Sequence, residues 1–138
     1  LLQPAVKKKN AAISYKCDKE YRVKGNRQKI GQVIINLLTN SLDAVEEGKG
    51  EIIIAAGLIV SEKSLNLSVT DNGSGISEKD RHKIFDPFFT TKSSGSGTGL
   101  GLSVAKSIVE SMGFALGFKS EKNNGTTFFI TIPEEYFK

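Results

Sequence analysis

One stretch of this 138-residue chain constrains its fold more than any other. Between residues 27 and 47, Ile30, Val33, Ile34, Leu37, Leu38, Leu42 and Val45 recur at three- and four-residue steps, so a helix gathers them on one face. Asn26 is the predicted N-cap and Gly48 the predicted stop. A helix with that apolar face must lie on something, and the flanking sequence supplies a sheet. EIIIAAGLIV (51–60) and SLNLSVTD (64–71) are β-rich runs joined by a short polar turn, which predicts a hairpin, with Leu65, Leu67 and Val69 alternating onto one side. FALGFKSE and GTTFFITIP, the latter closed by Pro133, predict two more strands, and AAISYKC (11–17) a fifth. Residues 100 to 112 form a second helical pattern through Leu102, Ala105, Ile108, Val109 and Met112. Ser77 is placed to cap a short helix through Ile84, and residues 1–10, with lysines at 7 to 9, read as a solvated helix end or linker. The expected fold is α/β: a two-layer sandwich with a mixed, mainly antiparallel five-stranded sheet and its helices on one face.

Composition narrows the function classes. A single domain over 1–138, with 38% hydrophobic and 25% charged residues, is expected to be globular. No apolar run approaches the roughly 20 residues that span a bilayer. The chain starts at Leu1 without an initiator Met and is expected to be part of something longer. Cys17 is the only cysteine, which excludes an intrachain disulfide or a thiolate cluster and fits a reducing cytoplasm. The net charge of +4 comes from dispersed lysines and arginines, not from a stripe interleaved with aromatics, so nucleic acid is not the expected partner.

Three features carry chemistry. Asn36, Asn40 and Asp43 fall at i, i+4 and i+7 of the first long helix, a polar stripe off its apolar face. Asn is a mediocre helix former, so the stripe is either an unusual solvent face or a ligand surface. An amide oxygen is a hard neutral donor that suits Mg²⁺, which binds few protein ligands beside substrate phosphates. DNGSGI (71–76) ends a strand with a carboxylate and a turn, either a plain turn or an acceptor site. A partly buried Asp71 needs a donor, and the amino group of adenine supplies one where guanine presents a carbonyl. Glycines at 95, 97, 99 and 101 suit a flexible linker and a phosphate cradle equally. Neither a P-loop, nor a G-x-G-x-x-G fingerprint, nor the protein-kinase catalytic set is present.

Taken in order, NLLTNSLDA (36–44), DNGSGI (71–76), FDPFFTTK (85–92) and GTGLGLSVAKSIVE (97–110) resemble the N, first glycine, F and second glycine boxes of sensor histidine kinase ATP-binding domains. GTTF (125–128) is similar to their terminal strand. The superfamily also includes topoisomerase, chaperone and mismatch-repair ATPases. The resemblance implies three helices on the sheet, ATP between helix and sheet, and a lid over residues 72–99. It implies that Asn40 holds Mg²⁺, that Asp71 pairs with adenine, and that Gly73 and Gly75 let the base approach. Thr126 or Thr127 would assist through water. Gly97, Gly99 and Gly101 would give amides to phosphate, with Lys92 near the γ-phosphate. Asp43, Ile76, Thr98, Leu100 and Leu102 would complete the site, and Phe85, Phe88 and Phe89 would pack or hinge the lid. Hydrolysing relatives carry a Glu base where this chain has Asn36, and an amide takes no proton at neutral pH. Transfer to a histidine on a separate helical dimerisation domain is therefore expected, with a response regulator downstream and the isolated domain a monomer. His82, the only histidine, has Lys83 beside it and reads as a surface residue. A conformational ATPase, a serine kinase and a degenerate binding module are the alternative classes.

Overall fold

The computed structural model describes residues 3–90 and 100–138. The long periodic segment becomes helix α2 (Arg27–Ala44), following helix α1 (Gln3–Lys9) and strand β1 (Ala12–Cys17). Strands β2 (Glu51–Ile59) and β3 (Ser64–Asp71) form the expected hairpin, then come helix α3 (Gly101–Ser111) and strands β4 (Ala115–Ser120) and β5 (Thr126–Pro133). The sheet order is β1-β2-β3-β5-β4, with β1 parallel to β2 and every other pair antiparallel. This is the mixed five-stranded sheet with three helices that the sequence predicts.

Register puts one residue set on the helix side. Ile54, Val69, Phe128 and Phe118 are aligned across β2, β3, β5 and β4. Along β5 Thr126, Phe128, Ile130 and Ile132 are buried, and the residues between them are not. α2 meets this face with Val33 and Leu37 and α3 with Ala105 and Val109, all four fully buried. Phe85, from the segment before α3, joins Phe118 and Phe128 with ring centroids 5.8 and 6.5 Å away. On the other face Phe129 lies across Gly117, where a Cβ would come within 2.8 Å of the ring. The Thr70 and Thr127 hydroxyls are hydrogen-bonded there at 3.0 Å.

Two local expectations change. Asn26 caps α2 as predicted, accepting from the Lys29 amide at 3.1 Å, but the helix stops at Ala44, not near Gly48. Val45 leaves in an extended conformation because its side chain is drawn into the core, 2% exposed. Gly48, with φ +81°, turns the connection to β2 instead. The helix predicted from Ser77 to Ile84 is one 3₁₀ turn (Glu78–Asp80) followed by successive three-residue turns. The Ser77 hydroxyl donates to the Asp80 carboxylate at 2.9 Å and so caps no backbone amide.

Leu37 is fully buried between α2 and the sheet. Leu37→Ala is expected to lower unfolding stability by about 2–5 kcal/mol. A lower denaturant midpoint with an unchanged m-value would show it.

Candidate functional site

Asp71 ends β3, aligned with Ile52 on one side and Thr126 on the other, and is only 4% exposed. Its Oδ1 accepts the Gly73 N–H at 2.8 Å. Its Oδ2 is buried with no partner among the described residues, as is the Oγ of Ser41, fully buried on α2. Burial pushes the Asp71 carboxyl above its ordinary value, opposed by the Gly73 amide, the Ser41 hydroxyl and the Thr126 amide. The Ser41 hydroxyl is near enough to favour the carboxylate yet makes no hydrogen bond, and buried polar atoms so left are uncommon in folded proteins because each costs its desolvation. Two of them together mark a place where water or a ligand completes the bonding.

The turn after Asp71 is held by backbone contact. A Cβ on Gly73 would stand 2.6 Å from the Ala44 carbonyl, and one on Gly75 (φ +71°) would run into the Glu121 carbonyl. The neighbours these glycines admit are the end of α2 and the β4–β5 hairpin. Ser74 N–H donates to Ala44 O at 3.1 Å. Asn72 clamps the α2–β2 connection, accepting from Glu51 N–H at 2.8 Å and donating to Lys49 O at 3.0 Å. Ser120 completes the wall: its hydroxyl accepts from Ile76 N–H at 2.8 Å and also meets Gly125 O and Thr126 Oγ1. Gly125 lies flat against the Asp71 carbonyl, with no space for a Cβ.

The predicted residues separate into groups. Thr126 shares the buried face with Asp71, whereas Thr127 lies on the opposite face bonded to Thr70. The two candidates for the water-mediated contact thus stand on different faces, since strand alternation sends neighbouring side chains to opposite sides. Asn36 and Asn40 are half-buried on α2 and Asp43 is exposed. Among the described residues nothing engages the Asn40 amide. Asn36 is fully used: its Oδ1 accepts from Gln32 Nε2 and its Nδ2 donates to Gly101 O, both at 3.1 Å. Leu100, at the N-cap of α3, has no side-chain acceptor to offer the first-turn amides. Among the described residues outside the backbone of α3, a Cβ on the exposed Gly101 would meet nothing within 4 Å, unlike one on Gly73, Gly75 or Gly125. Leu102 and Ile76 are half-buried against the core. Lys92, Gly97, Thr98 and Gly99 lie outside the described residues. Phe85 and Phe89 pack on the core, while Phe88 is 74% exposed at φ +68°. His82 is exposed in the turns after Asp80.

Sequence reasoning missed Ser41 and Ser120. Ser41 follows Val33 and Leu37 at four-residue steps, so a hydroxyl on the apolar stripe was its signal. Ser120 gives no signal of its own, because the partner that ties it to the site, Ile76, lies 44 residues earlier in the chain.

Residues 25–136 match the family described as histidine kinase-, DNA gyrase B-, and HSP90-like ATPase. The chain belongs to this family. Against sporulation kinase B of Bacillus subtilis (strain 168), this ATPase-family domain is 33% identical over 127 residues, 92% of the chain but 29% of the relative. It therefore spans under a third of that protein. The nucleotide-free catalytic domain of histidine kinase ThkA superposes with a TM-score of 0.79 at 34% identity, covering 96% of this chain and 85% of that one. ThkA in complex with the response regulator TrrA aligns at 32% identity and TM-score 0.76, over 96% and 37% of the two chains. Full-length ShkA in complex with AMPPNP gives 0.82 at 25% identity, over 96% and 27%.

Asp71 also sets a pH signature. Its folded value stands above the ordinary 3.8, so the folded state holds the proton more tightly. The stability this gives is complete below 3.8 and is lost as pH rises through the raised value. Asp71→Asn keeps an acceptor for Gly73 and presents a donor towards Ser41. In the ligand-free domain the variant is expected to melt higher than wild type at pH 7, with the gap shrinking towards pH ~3.5. Thermal midpoints across that range provide the check.

Proposed function

We propose that this domain binds Mg²⁺-ATP and donates the γ-phosphate to a histidine on a separate helical dimerisation domain of a two-component sensor kinase. The observation that carries the reading is the orphaned pair, Asp71 Oδ2 and Ser41 Oγ, buried at the α2–sheet junction. A carboxylate oxygen there accepts the adenine amino group and rejects guanine, whose carbonyl sets acceptor against acceptor. Thr126, on the same face, is placed to complete the bonding through water. The first turn of α3, which the Leu100 side chain does not cap, offers its amides to the phosphates, and no other described element crowds Gly101 there.

The donor set suits a metal that arrives with its substrate. The described residues contain no cluster of three or more His, Cys, Asp or Glu side chains, so they form no all-protein cage. Asn40 offers one amide oxygen, the kind of sparse protein contribution that Mg²⁺ accepts when phosphates and waters fill its other positions. Bound there, the ion would offset charge developing on the transferred group. Asn36 cannot act as a base, and both ends of its amide are occupied. Water attack is therefore unassisted, which favours transfer over hydrolysis. Passage of the phosphoryl group to a response regulator fits the relation to ThkA. No described helix is long and apolar enough to cross a membrane. The domain then works in the cytoplasm, where ATP is, whatever anchors its parent.

Calorimetry should show ATP bound well ahead of GTP, with Asp71→Asn losing about tenfold or more. Equal ATP and GTP affinities would sink the assignment of Asp71. Incubated with labelled ATP, the chain alone is expected to remain unlabelled, and transfer should appear when the cognate helical domain is added, because in-line positioning supplies most of the rate. Acid-labile label on the isolated chain, lost in His82→Gln, would place the acceptor at His82 instead.

A further inference from the structure

We infer that Asn36, oriented by Gln32, is a positioning residue that aims the first-turn amides of α3 at the nucleotide's phosphates. This rests on the reading above and assigns Asn36 a role beyond the absence of a base. The Asn36 Nδ2 donates to the carbonyl of Gly101 at 3.1 Å. That carbonyl shares one planar peptide with the amide of Leu102, and in a trans peptide the two point in opposite directions. Holding the Gly101 oxygen towards α2 therefore fixes the direction in which the Leu102 N–H leaves the helix. Gly101 needs such a hold. It has the widest backbone freedom of any residue, it is exposed, and among the described residues outside the backbone of α3 no atom lies within 4 Å of where its Cβ would be.

Gln32 decides which end of the Asn36 amide faces α3. Its Nε2 donates to Asn36 Oδ1 at 3.1 Å, one turn earlier on α2, so the oxygen is committed and the donor must face Gly101. The tie runs from a helix rooted in the core by Val33 and Leu37 to the first residue of α3. It also explains why a carboxylate is unsuited to position 36 here. A Glu or Asp would set an acceptor against the Gly101 carbonyl and release the turn it should serve.

The test compares Asn36→Leu, which removes the donor without charge, with Asn36→Asp, which removes it at constant size, and with Gln32→Leu. Adenosine, ADP and ATP are titrated by calorimetry into each folded variant, and amide exchange at Val104, whose N–H bonds Leu100 O at 2.9 Å, is followed without nucleotide. Both Asn36 variants are expected to bind ADP and ATP about three- to tenfold more weakly, the worth of one hydrogen bond, with adenosine unchanged. Gln32→Leu should show a smaller loss of the same kind, and Val104 should exchange faster in all three. Equal losses for adenosine and ATP, a loss confined to the charged Asp variant, or unchanged Val104 exchange in Asn36→Leu each overturn the inference. A wild-type chain that binds no adenine nucleotide overturns the reading of the site and this inference together. Normal wild-type binding with indifferent variants overturns the inference alone.

Discussion

A carboxylate placed out of water with one oxygen left unbonded is the constraint around which this domain is arranged. Asp71 stands 4% exposed, and desolvation costs it more than the Gly73 amide, the Ser41 hydroxyl and the Thr126 amide return. Such a group is a net liability to an empty protein and an asset only to one that meets a donor. The neighbouring contacts keep that liability in place. The end of α2 is clamped to the turn through Ala44 and Ser74, Asn72 pins the connection to β2, and Ser120 ties the turn to the last hairpin. None of these contacts supplies the missing donor, and all of them deny the carboxylate an escape to solvent.

The glycines divide by what they touch. Gly73, Gly75 and Gly125 press on protein backbone, and any side chain would force α2, the β4–β5 hairpin or β3 apart. Gly101 presses on no other described element. A single residue type therefore does two jobs: close assembly of the pocket wall, and a start to α3 that no other described element crowds. The resemblance treats both boxes as making way for ligand, and in the structure Gly73 and Gly75 also make way for the Ala44 and Glu121 carbonyls.

Much of this was legible. The three- and four-residue spacing of α2 and the alternation of β3 and β5 named the layers, because a helix and a strand each need one apolar side. Asp71 could be read from its place at a strand end. That Thr126, not Thr127, shares a face with Asp71 was also open to reading, since Phe128, Ile130 and Ile132 already state which parity of β5 faces inward. The segment after Ser77 misled because its hydroxyl found Asp80, a side-chain competitor that propensity does not weigh. α2 stopped early because burial of Val45 outweighed continuation of the helix. Ser120 and the Asn36–Gly101 bond were beyond local reading, since each depends on a partner brought near only by the assembled sheet and helices.

The strand order has a consequence for how the chain comes into being. β5 is the last strand in sequence yet lies inside the sheet, between β3 and β4, and Asp71 is aligned with Thr126. A nascent chain can close the β2–β3 hairpin early, because those strands are neighbours in sequence. It cannot seal one flank of Asp71 until Thr126 and the residues after it have emerged and paired with a strand far earlier in the chain, a slow non-local step. Until then β3 has an unpaired inner edge, the kind of surface on which chaperones act and aggregates begin. The pocket wall is thus among the last things synthesis completes, and a chain cut short before β5 has the carboxylate without its enclosure.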